Sequence, residues 1–349
     1  MIDQLNLKGF TNFSESEFVF SKGINIFIGK NGTGKTHILK NIAAIIDANN
    51  EIQLSHAQSK ERFENLIAEK LLGYFKPDQL GRLVKKGQFN SIVTLKSDKK
   101  DYTYTFSSTS KVKVNVENNE HFKITSSLYI PPREMFSTFE GFLTLIDKRE
   151  ISFDETYVKF AKSLNTPLLK ETKLDFIINL IKPFEKSLDI KVIKENNRFY
   201  IEDKNGKLEA HLVAEGVRKL ASIMYLIMNG ELERNSVLFW DEPEANLNPA
   251  LIKVVADFII LLAENDIQVF VATHDYLLTH LLSLRAEYRH IDSCPDIKFF
   301  GITKEKDEIS IEEGNTLIAL NNNPILDEYA AYYDLEQEYS NKSFKLLNK

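Results

Sequence analysis

The feature that most constrains the fold is a glycine-rich run near the start of the sequence, Gly29-Lys30-Asn31-Gly32-Thr33-Gly34-Lys35-Thr36. An apolar stretch over residues 24–28 precedes it, and apolar residues recur at helical spacing after it, from Ile38 to Ile46. The pattern Gly-x-x-x-x-Gly-Lys-Thr between a strand and a helix is typical of a loop that wraps phosphate groups. The sequence therefore predicts an α/β domain organised around a strand, a phosphate-binding loop (P-loop) and a helix.

Each residue type in this run has a chemical reason. Glycines let successive backbone amides face the phosphates, and the dipole of the following helix adds positive potential. Lys35 is expected to reach the β- and γ-phosphates of a nucleotide, and the Thr36 hydroxyl to ligate Mg²⁺. The residues expected to contact the nucleotide are Gly29, Asn31, Gly32, Thr33, Gly34, Lys35, Thr36 and His37.

Two adjacent acids, Asp241 and Glu242, follow a second apolar run over residues 237–240. Ligands of α/β proteins bind at the carboxyl edge of the sheet, where such a run would end. Asp241 is expected to hold the hydration shell of Mg²⁺, so the predicted metal residues are Thr36 and Asp241. Glu242 is expected to polarise the attacking water, because phosphoryl transfer mainly needs positioning and charge neutralisation.

His274 follows a third apolar run, residues 269–272, and is expected at the same edge, within reach of a γ-phosphate. The predicted catalytic set is therefore Lys35, Glu242 and His274. The other histidine side chains have no metal-ligand spacing with acids or cysteine, and we expect them on the surface or in the core. They are His37, His56, His121, His211, His280 and His290.

The rest of the pattern predicts one interrupted domain. Short apolar runs over residues 1–28 indicate three strands, residues 60–88 a short helical insert, and the alternation over 91–124 (including Val112 and Val114) an antiparallel β subdomain. Residues 134–190 are mostly helical in pattern and 191–212 strand-like, which indicates a separate lobe. A strand pair is expected at 297–302 and 308–311. The predicted divisions are an ATPase core over 1–133 and 231–300, a lobe over 134–230 and an extension over 301–349.

Composition excludes several classes of protein. The 349 residues are 43% hydrophobic and 27% charged, as in ordinary globular chains. A net charge of −6 argues against a generally basic nucleic-acid binder, although a local basic groove would escape this count. The single cysteine, Cys294, excludes an internal disulfide framework. Without a leader-like start or an apolar run of roughly 18 residues, a cytoplasmic location is expected.

The P-loop, the acidic pair and the histidine, in this order, resemble the ABC ATPase superfamily, and specifically its soluble branch with the SMC, RecF and OLD (overcoming lysogenisation defect) ATPases. Residues 5–13 and 23–32 resemble the start of proteins of that branch, in which the P-loop lies near residue 30 after a short pair of strands. The resemblance covers roughly residues 1 to 285. It implies an α/β fold: a P-loop NTPase ABC-type head with a mixed sheet, an antiparallel β subdomain and an inserted helical lobe.

The resemblance further implies that ATP bound to one head is closed by a signature loop of a second head. The matching segment is residues 211–219, so Gly216 is implied as a phosphate contact in trans, within a homodimer or higher homo-oligomer. Ala214 stands where the family usually has a serine. Hydrolysis is therefore expected to be slow or to rely on Arg218 or Lys219.

Two more segments are compared with the family's motifs. Residues 245–249 resemble the D-loop, which couples two ATP sites, and at the same time read as a helix N-cap with Pro249 in the first turn. Arg133 and Glu134 stand where the family's Q-loop glutamine would follow a strand. Because the glutamine is missing, this loop is not expected to sense the metal ion as the family's Q-loop does.

Small stand-alone heads of this kind resemble those of bacterial anti-phage and abortive-infection systems. The resemblance implies a Mg²⁺-dependent ATPase that acts as a dimerising switch on a separate effector protein, a nuclease or toxin. A transporter subunit is disfavoured, because it would carry an intact Leu-Ser-Gly-Gly-Gln loop and a clear Q-loop. A DNA repair or recombination ATPase that binds DNA directly, and a low-turnover nucleotide sensor, remain open alternatives.

Overall fold

The computed structural model describes residues 1–55, 59–117, 124, 126–148, 152–169, 174–291 and 293–347, so His56 and His121 lie outside the described residues. The strands are β1 (Ile2–Phe10), β2 (Phe13–Val19), β3 (Ile24–Gly29), β4 (Asn90–Ser97), β5 (Lys100–Ser107), β6 (Asn115–Val116), β7 (Ser127–Ile130), β8 (Lys191–Glu195), β9 (Arg198–Asp203), β10 (Gly206–Glu209), β11 (Val237–Asp241), β12 (Gln268–Thr273), β13 (Ile297–Glu305) and β14 (Glu308–Gly314). The helices are α1 (Lys35–Leu54), α2 (Lys60–Phe75), α3 (Phe142–Asp147), α4 (Glu155–Asn165), α5 (Leu174–Leu188), α6 (Glu215–Met228), α7 (Pro249–Glu264), α8 (Tyr276–Glu287) and α9 (Leu326–Leu347).

The central sheet has the strand order β14-β13-β3-β12-β11-β7 among the described residues. Its strands are parallel except for β14, which returns antiparallel to β13 as a hairpin. Every residue of β3, β11 and β12 is buried, as expected of parallel strands covered on both faces. Because the strands are parallel, the P-loop after β3, the acids at the end of β11 and the histidine after β12 lie at one edge of the sheet.

One face of the central sheet is covered by α1 and by a second, antiparallel sheet of order β2-β1-β4-β5-β6. A single apolar cluster joins these layers, with Phe27, Phe239 and Phe270 from the central sheet packing towards Ile42 of α1. The predicted β subdomain is confirmed, but β1 and β2 of the first segment complete it. Val112, which the alternation predicted to be in a strand, instead lies in a loop with its side chain 64% exposed.

The opposite face is covered by α4–α8, with the small antiparallel sheet β10-β9-β8 packed beside them. Residues of the predicted lobe, such as Phe160, Leu180 and Ile201, share one core with Ile26 and Val271 of the central sheet. The lobe therefore packs on the sheet through a continuous apolar core.

The carboxyl-terminal part of the described chain differs from the predicted division. The predicted boundary at residues 300 and 301 falls inside β13, which pairs with β3 from Ile297 to Ile302, so the core sheet continues beyond it. Within the predicted extension, residues Leu326–Leu347 form α9, whose described side chains are exposed. The first turn of α9 is fixed to the P-loop, where Lys30 Nζ donates to Glu328 Oε2 at 2.6 Å.

Candidate nucleotide-binding site

The P-loop is closed by its own lysine. The Lys35 ammonium is buried and donates to the carbonyl oxygens of Gly29, at 2.6 Å, and Lys30, at 3.0 Å. The Thr33 hydroxyl donates to the same Lys30 carbonyl at 3.0 Å. Burial lowers the pKa of Lys35, while the carboxylates of Glu242 and Asp241 oppose that shift. The loop thus holds a positive charge at the point where phosphate is predicted to bind.

Two positions in the loop need glycine for backbone reasons. Gly32 and Gly34 have φ values of 80° and 101°, in the left-handed region that other residues avoid. A Cβ on Gly34 would lie 2.8 Å from the ring of Phe13. The neighbouring Asn31 is exposed, so its side chain is accessible to a ligand.

His37 was predicted among the nucleotide contacts, and its imidazole packs against the ring of Phe75 at 5.5 Å between centroids. Burial lowers the pKa of His37 to about 4, so the ring is neutral at pH 7. Any contact of His37 with nucleotide would therefore come from its backbone amide.

The predicted metal residues meet directly. Thr36 Oγ1 donates to Asp241 Oδ1 at 3.0 Å, and the hydroxyl of Tyr129 donates to Asp241 Oδ2 at 3.1 Å. Burial raises the pKa of Asp241 to about 6. A hydroxyl and a carboxylate are oxygen ligands of the kind that Mg²⁺ takes beside nucleotide phosphates, so the residues present fit this ion. Tyr129 could not be predicted as part of the site, because nothing in the apolar β7 segment distinguishes its hydroxyl from that of a core tyrosine.

Glu242 and His274 lie beside one another at the same edge. The backbone of Glu242 is in the left-handed region, with φ 48°, and its N–H donates to the Ala272 carbonyl at 2.8 Å. Its side chain is 35% exposed, and Oε1 lies 3.7 Å from Nδ1 of His274. The structure therefore brings the predicted water-activating acid and the predicted phosphate sensor together.

Glu244, which was not among the predicted site residues, is the buried partner of this pair. Its Oε1 accepts hydrogen bonds from the Thr273 hydroxyl at 2.7 Å and the His274 N–H at 3.1 Å. The same oxygen lies 3.5 Å from His274 Nδ1. Burial raises the pKa of Glu244. An acid two residues after Glu242 looks like a solvated turn in the sequence, and only the fold reveals that it is 8% exposed.

The predicted signature turn packs against the D-loop-like segment of its own chain. A Cβ on Gly216 would lie 2.8 Å from Leu247 Cδ2 and 3.0 Å from the Asn246 carbonyl oxygen. Asn246 Nδ2 donates to Glu215 Oε1 at 2.7 Å. Close packing against this segment is therefore enough to require a glycine at position 216. The contact of Gly216 with phosphate in trans stays a prediction.

The D-loop-like segment also caps a helix, as the sequence indicated. The Asn248 side chain accepts a hydrogen bond from the Leu251 N–H at 3.0 Å, and Pro249 is the first residue of α7.

The basic residues expected to replace the missing serine both face their own chain. The Arg218 guanidinium lies 2.9 Å from Glu134 Oε1 and donates to the Val213 carbonyl at 2.7 Å. Lys219 is 2% exposed and donates to the Glu242 carbonyl at 2.7 Å. Contact between Arg218 and a nucleotide would require the pair with Glu134 to open, so that role also stays a prediction. Glu134 instead joins the loop after β7 to the start of α6.

Solved structures with a similar fold include SMC heads. A crystal structure of the SmcHead bound to the C-winged helix domain of ScpA aligns with a TM-score of 0.55 at 15% identity, covering 90% of this chain and 98% of that chain. An Smc head domain with an extended coiled coil, bound to the C-terminal domain of ScpA derived from Pyrococcus furiosus, aligns with a TM-score of 0.53 at 15% identity, covering 90% and 96%. These likenesses establish an SMC-head-like α/β fold.

Two curated proteins match part of the sequence. The DNA replication and repair protein RecF of Streptococcus gordonii is 33% identical over 103 residues, which are 28% of this chain and 28% of that protein. The RecF of Cytophaga hutchinsonii is 49% identical over 41 residues, 12% of this chain and 11% of that protein. The chain thus spans less than a third of the length of these curated relatives.

No helix in the described part of the chain is long and apolar enough to cross a bilayer.

The family profile described as "AAA domain, putative AbiEii toxin, Type IV TA system" matches residues 61–279, which is more than half of the chain. The P-loop at the edge of an SMC-head-like sheet, the RecF matches and this profile agree. The chain belongs to the AAA domain family of that description, and it is similar to ABC-type ATPases of the SMC/RecF branch.

Proposed function

We propose that this chain binds and hydrolyses ATP with Mg²⁺. The observation that carries the proposal is the meeting of Lys35, the Thr36–Asp241 pair and Glu242 with His274 at one edge of the sheet. Bound Mg²⁺ would neutralise charge on the β- and γ-phosphates. Thr36 and Asp241 would hold the ion, and the buried ammonium of Lys35 would turn from the carbonyls of its own loop to the phosphates.

Glu242 is proposed to orient the attacking water. Its carboxylate is partly exposed, and its backbone is held from both sides, by the Ala272 carbonyl and by Lys219. A fixed backbone with a solvent-accessible carboxylate suits a group that must position one water molecule. His274, whose Nδ1 faces this carboxylate, would contact the γ-phosphate with the other edge of its ring.

We further propose that ATP closes two copies of the chain into a switch. Ala214 caps α6 without a side-chain hydrogen bond, and Ala214 and Glu215 are exposed. The first N–H groups of a helix bind phosphate well. We therefore propose that this uncapped turn of one copy contacts the γ-phosphate of the ATP bound to the other copy. Asn246, which donates to Glu215, would link this turn to the acidic end of β11 in the same copy.

The proposed output of the switch is the control of a separate effector protein, a nuclease or toxin, in bacterial anti-phage defence. Support comes from the family description, which names a toxin and a toxin–antitoxin system. The predicted lobe over 134–230, inserted between the core segments 1–133 and 231 onwards, fits this role, since the lobe carries the signature turn; the core sheet itself continues past residue 300 through β13. ATP-driven movement of the lobe would be the signal passed to the effector.

Hydrolysis and dimerisation are tested with one variant. Wild-type protein with Mg-ATP should release phosphate, whereas Glu242→Gln should bind ATP but release phosphate at least about tenfold more slowly. In light scattering after size exclusion, Glu242→Gln with Mg-ATP should double in mass relative to the nucleotide-free protein. Equal and negligible rates for both proteins would support a low-turnover nucleotide sensor. A mass that stays unchanged with ATP would contradict the switch.

The effector is tested by affinity purification of Glu242→Gln with Mg-ATP from the native host. Recovery of a nuclease or toxin subunit, lost when nucleotide is omitted, supports control of an effector. Recovery of the ATPase alone counts against it.

A DNA repair or recombination ATPase is the second candidate, favoured by the similarity to RecF over 103 residues. It predicts that the ATP-bound protein binds duplex DNA with an affinity that falls steeply as salt is raised. The net charge of −6 weighs against it. Fluorescence anisotropy of a labelled duplex, with and without Mg-ATP, separates the two candidates.

A further inference from the structure

The segment between β11 and α7 contains a buried acid that the proposed chemistry does not use. Glu244 is only 8% exposed, although it follows Glu242 by two residues. Its Oε2 is buried and receives no hydrogen bond from any residue that the structure describes. Burying a carboxyl group without a full set of partners costs free energy. Fold stability alone therefore does not account for an acid at this position.

In the described structure, the hydrogen bonds that the Glu244 side chain accepts hold the start of the segment that carries His274. The Thr273 hydroxyl donates to Glu244 Oε1, and the same hydroxyl accepts the Asp275 N–H at 3.0 Å. The His274 N–H donates to Glu244 Oε1 as well. Asp275 then caps α8 through the Leu278 N–H at 2.6 Å. One carboxylate oxygen thus fixes the turn from β12 into α8 on both sides of the histidine.

The imidazole ring is also turned towards this acid. Nδ1 of His274 lies 3.5 Å from Glu244 Oε1 and 3.7 Å from Glu242 Oε1. A ring nitrogen that faces carboxylates carries the hydrogen, and the second nitrogen is then aimed the other way. The side chain of His274 is 47% exposed, so its Nε2 edge is accessible to a ligand.

We propose that Glu244 is the positioning residue of His274: it fixes the β12–α8 turn and the Nδ1 edge of the ring, so that Nε2 contacts the γ-phosphate. With a phosphate bound, the ring would lie between the carboxylates of Glu242 and Glu244 and the phosphate. Lys219, whose charge interacts with Glu244 and Glu242, balances the negative charge behind the ring. The proposal rests on the proposed ATP hydrolysis and adds the residue that aims its phosphate sensor.

The kinetic test is a double-variant cycle. Glu244→Ala should lower kcat by about 10- to 100-fold while KM for ATP changes less than about threefold, as for other residues that orient a functional histidine. Because Glu244 acts through His274, the Glu244→Ala/His274→Ala protein should be no slower than His274→Ala. Glu244→Gln, which keeps the accepting oxygen and the volume, should retain more activity than Glu244→Ala. Glu195→Gln makes the same chemical change on the exposed end of β8 and serves as the matched control.

Two kinetic outcomes would overturn the proposal. A further tenfold loss in the double variant would mean that Glu244 acts apart from His274. A raised KM with unchanged kcat would mean that Glu244 serves nucleotide binding. Thermal melting and binding of a fluorescent ATP analogue establish that each variant is folded.

A spectroscopic test does not depend on turnover. In ¹⁵N spectra of the imidazole rings, with the His274 signals assigned by their loss in His274→Ala, the nucleotide-free protein should show hydrogen on Nδ1. Adding Mg²⁺ and a non-hydrolysable ATP analogue should shift the Nε2 signal, which would contact the phosphate. Without nucleotide, Glu244→Ala should have less hydrogen on Nδ1 than the wild type, because Glu242 alone then faces this nitrogen. A proportion of hydrogen on Nδ1 in Glu244→Ala equal to that of the wild type would refute the positioning role even if the wild type hydrolyses ATP. The expected change in a protein without turnover would support that role while the proposed hydrolysis fails.

Discussion

The buried ammonium of Lys219 allows a quantitative prediction about stability and pH. Lys219 extends from α6 to the carbonyl oxygen of Glu242, and burial lowers its pKa from the ordinary 10.5 to about 8. At about 1.36 kcal/mol per pKa unit, holding this amine charged in the folded state costs about 3 kcal/mol. At pH 7 the Lys219 amine is still charged, although its burial lowers the free energy of unfolding. This cost agrees with a role for Lys219 in fixing the end of β11 through the Glu242 carbonyl.

The pH dependence has a defined direction. The unfolded chain holds the proton up to about pH 10.5, whereas the folded protein releases it above about pH 8, so stability rises with pH between these values. Below about pH 8 the full cost applies. Relative to Lys219→Met, which has no titrating group, the wild type should gain about 2 kcal/mol in free energy of unfolding from about pH 7 to about pH 9.5.

The assay is urea unfolding of both proteins, followed by circular dichroism, without nucleotide or Mg²⁺. All other titrating groups are common to the two proteins and cancel in the difference. Lys253→Met removes an equally long side chain from the exposed face of α7 and gives the background. A difference between wild type and Lys219→Met that varies by less than about 0.5 kcal/mol over this range would refute the assignment of a buried, charged Lys219.

Three further predictions concern the P-loop and the metal residues. Lys35→Met should weaken binding of a fluorescent ATP analogue by about 100-fold, because it removes the charged donor of the loop; binding within threefold of wild type would contradict the role of Lys35. Because burial raises the pKa of Asp241 to about 6 and Mg²⁺ binds the deprotonated acid, Mg²⁺ affinity in the presence of the analogue should fall by up to about tenfold per pH unit below pH 6. A metal titration with equal affinities at about pH 5 and pH 7.5 would argue against Asp241 as a ligand. Gly34→Ala should destabilise the protein to urea by about 1–3 kcal/mol, since φ is 101° and the new Cβ meets the Phe13 ring, and Phe13→Leu in the same protein should recover part of that loss.

Local pattern predicted the elements around the site well. The P-loop between β3 and α1, the strand that ends in Asp241 and the strand before His274 all have apolar runs of the right length and period. The hairpin of β13 and β14 was predicted for the same reason. Parallel topology then brings the ends of these strands to one edge, which is why the order of motifs along the chain was enough to anticipate the candidate site.

Contacts between distant segments could not be predicted in this way. Glu244 and Tyr129 are unremarkable in the sequence, and their roles depend on the pairing of β11 with β12 and β7. Arg218 was expected to contact the nucleotide. Its ion pair with Glu134 forms because the loop after β7 packs against α6, which the sequence pattern does not reveal. Helix α9 was not predicted, because its aromatic residues are exposed and give no clean amphipathic stripe against the core.

In the proposed switch, one ATP is held by the P-loop of one copy and the α6 turn of another. Lys35→Met removes the first contact, and Ala214→Glu places a carboxylate on the exposed α6 turn, where it would repel a γ-phosphate. Each variant alone should hydrolyse little ATP while keeping the melting temperature of the wild type. An equal mixture should recover activity to about a quarter of the wild-type rate, since half of the dimers are mixed and each of these has one intact site. A mixture no more active than its separate components would contradict the shared site.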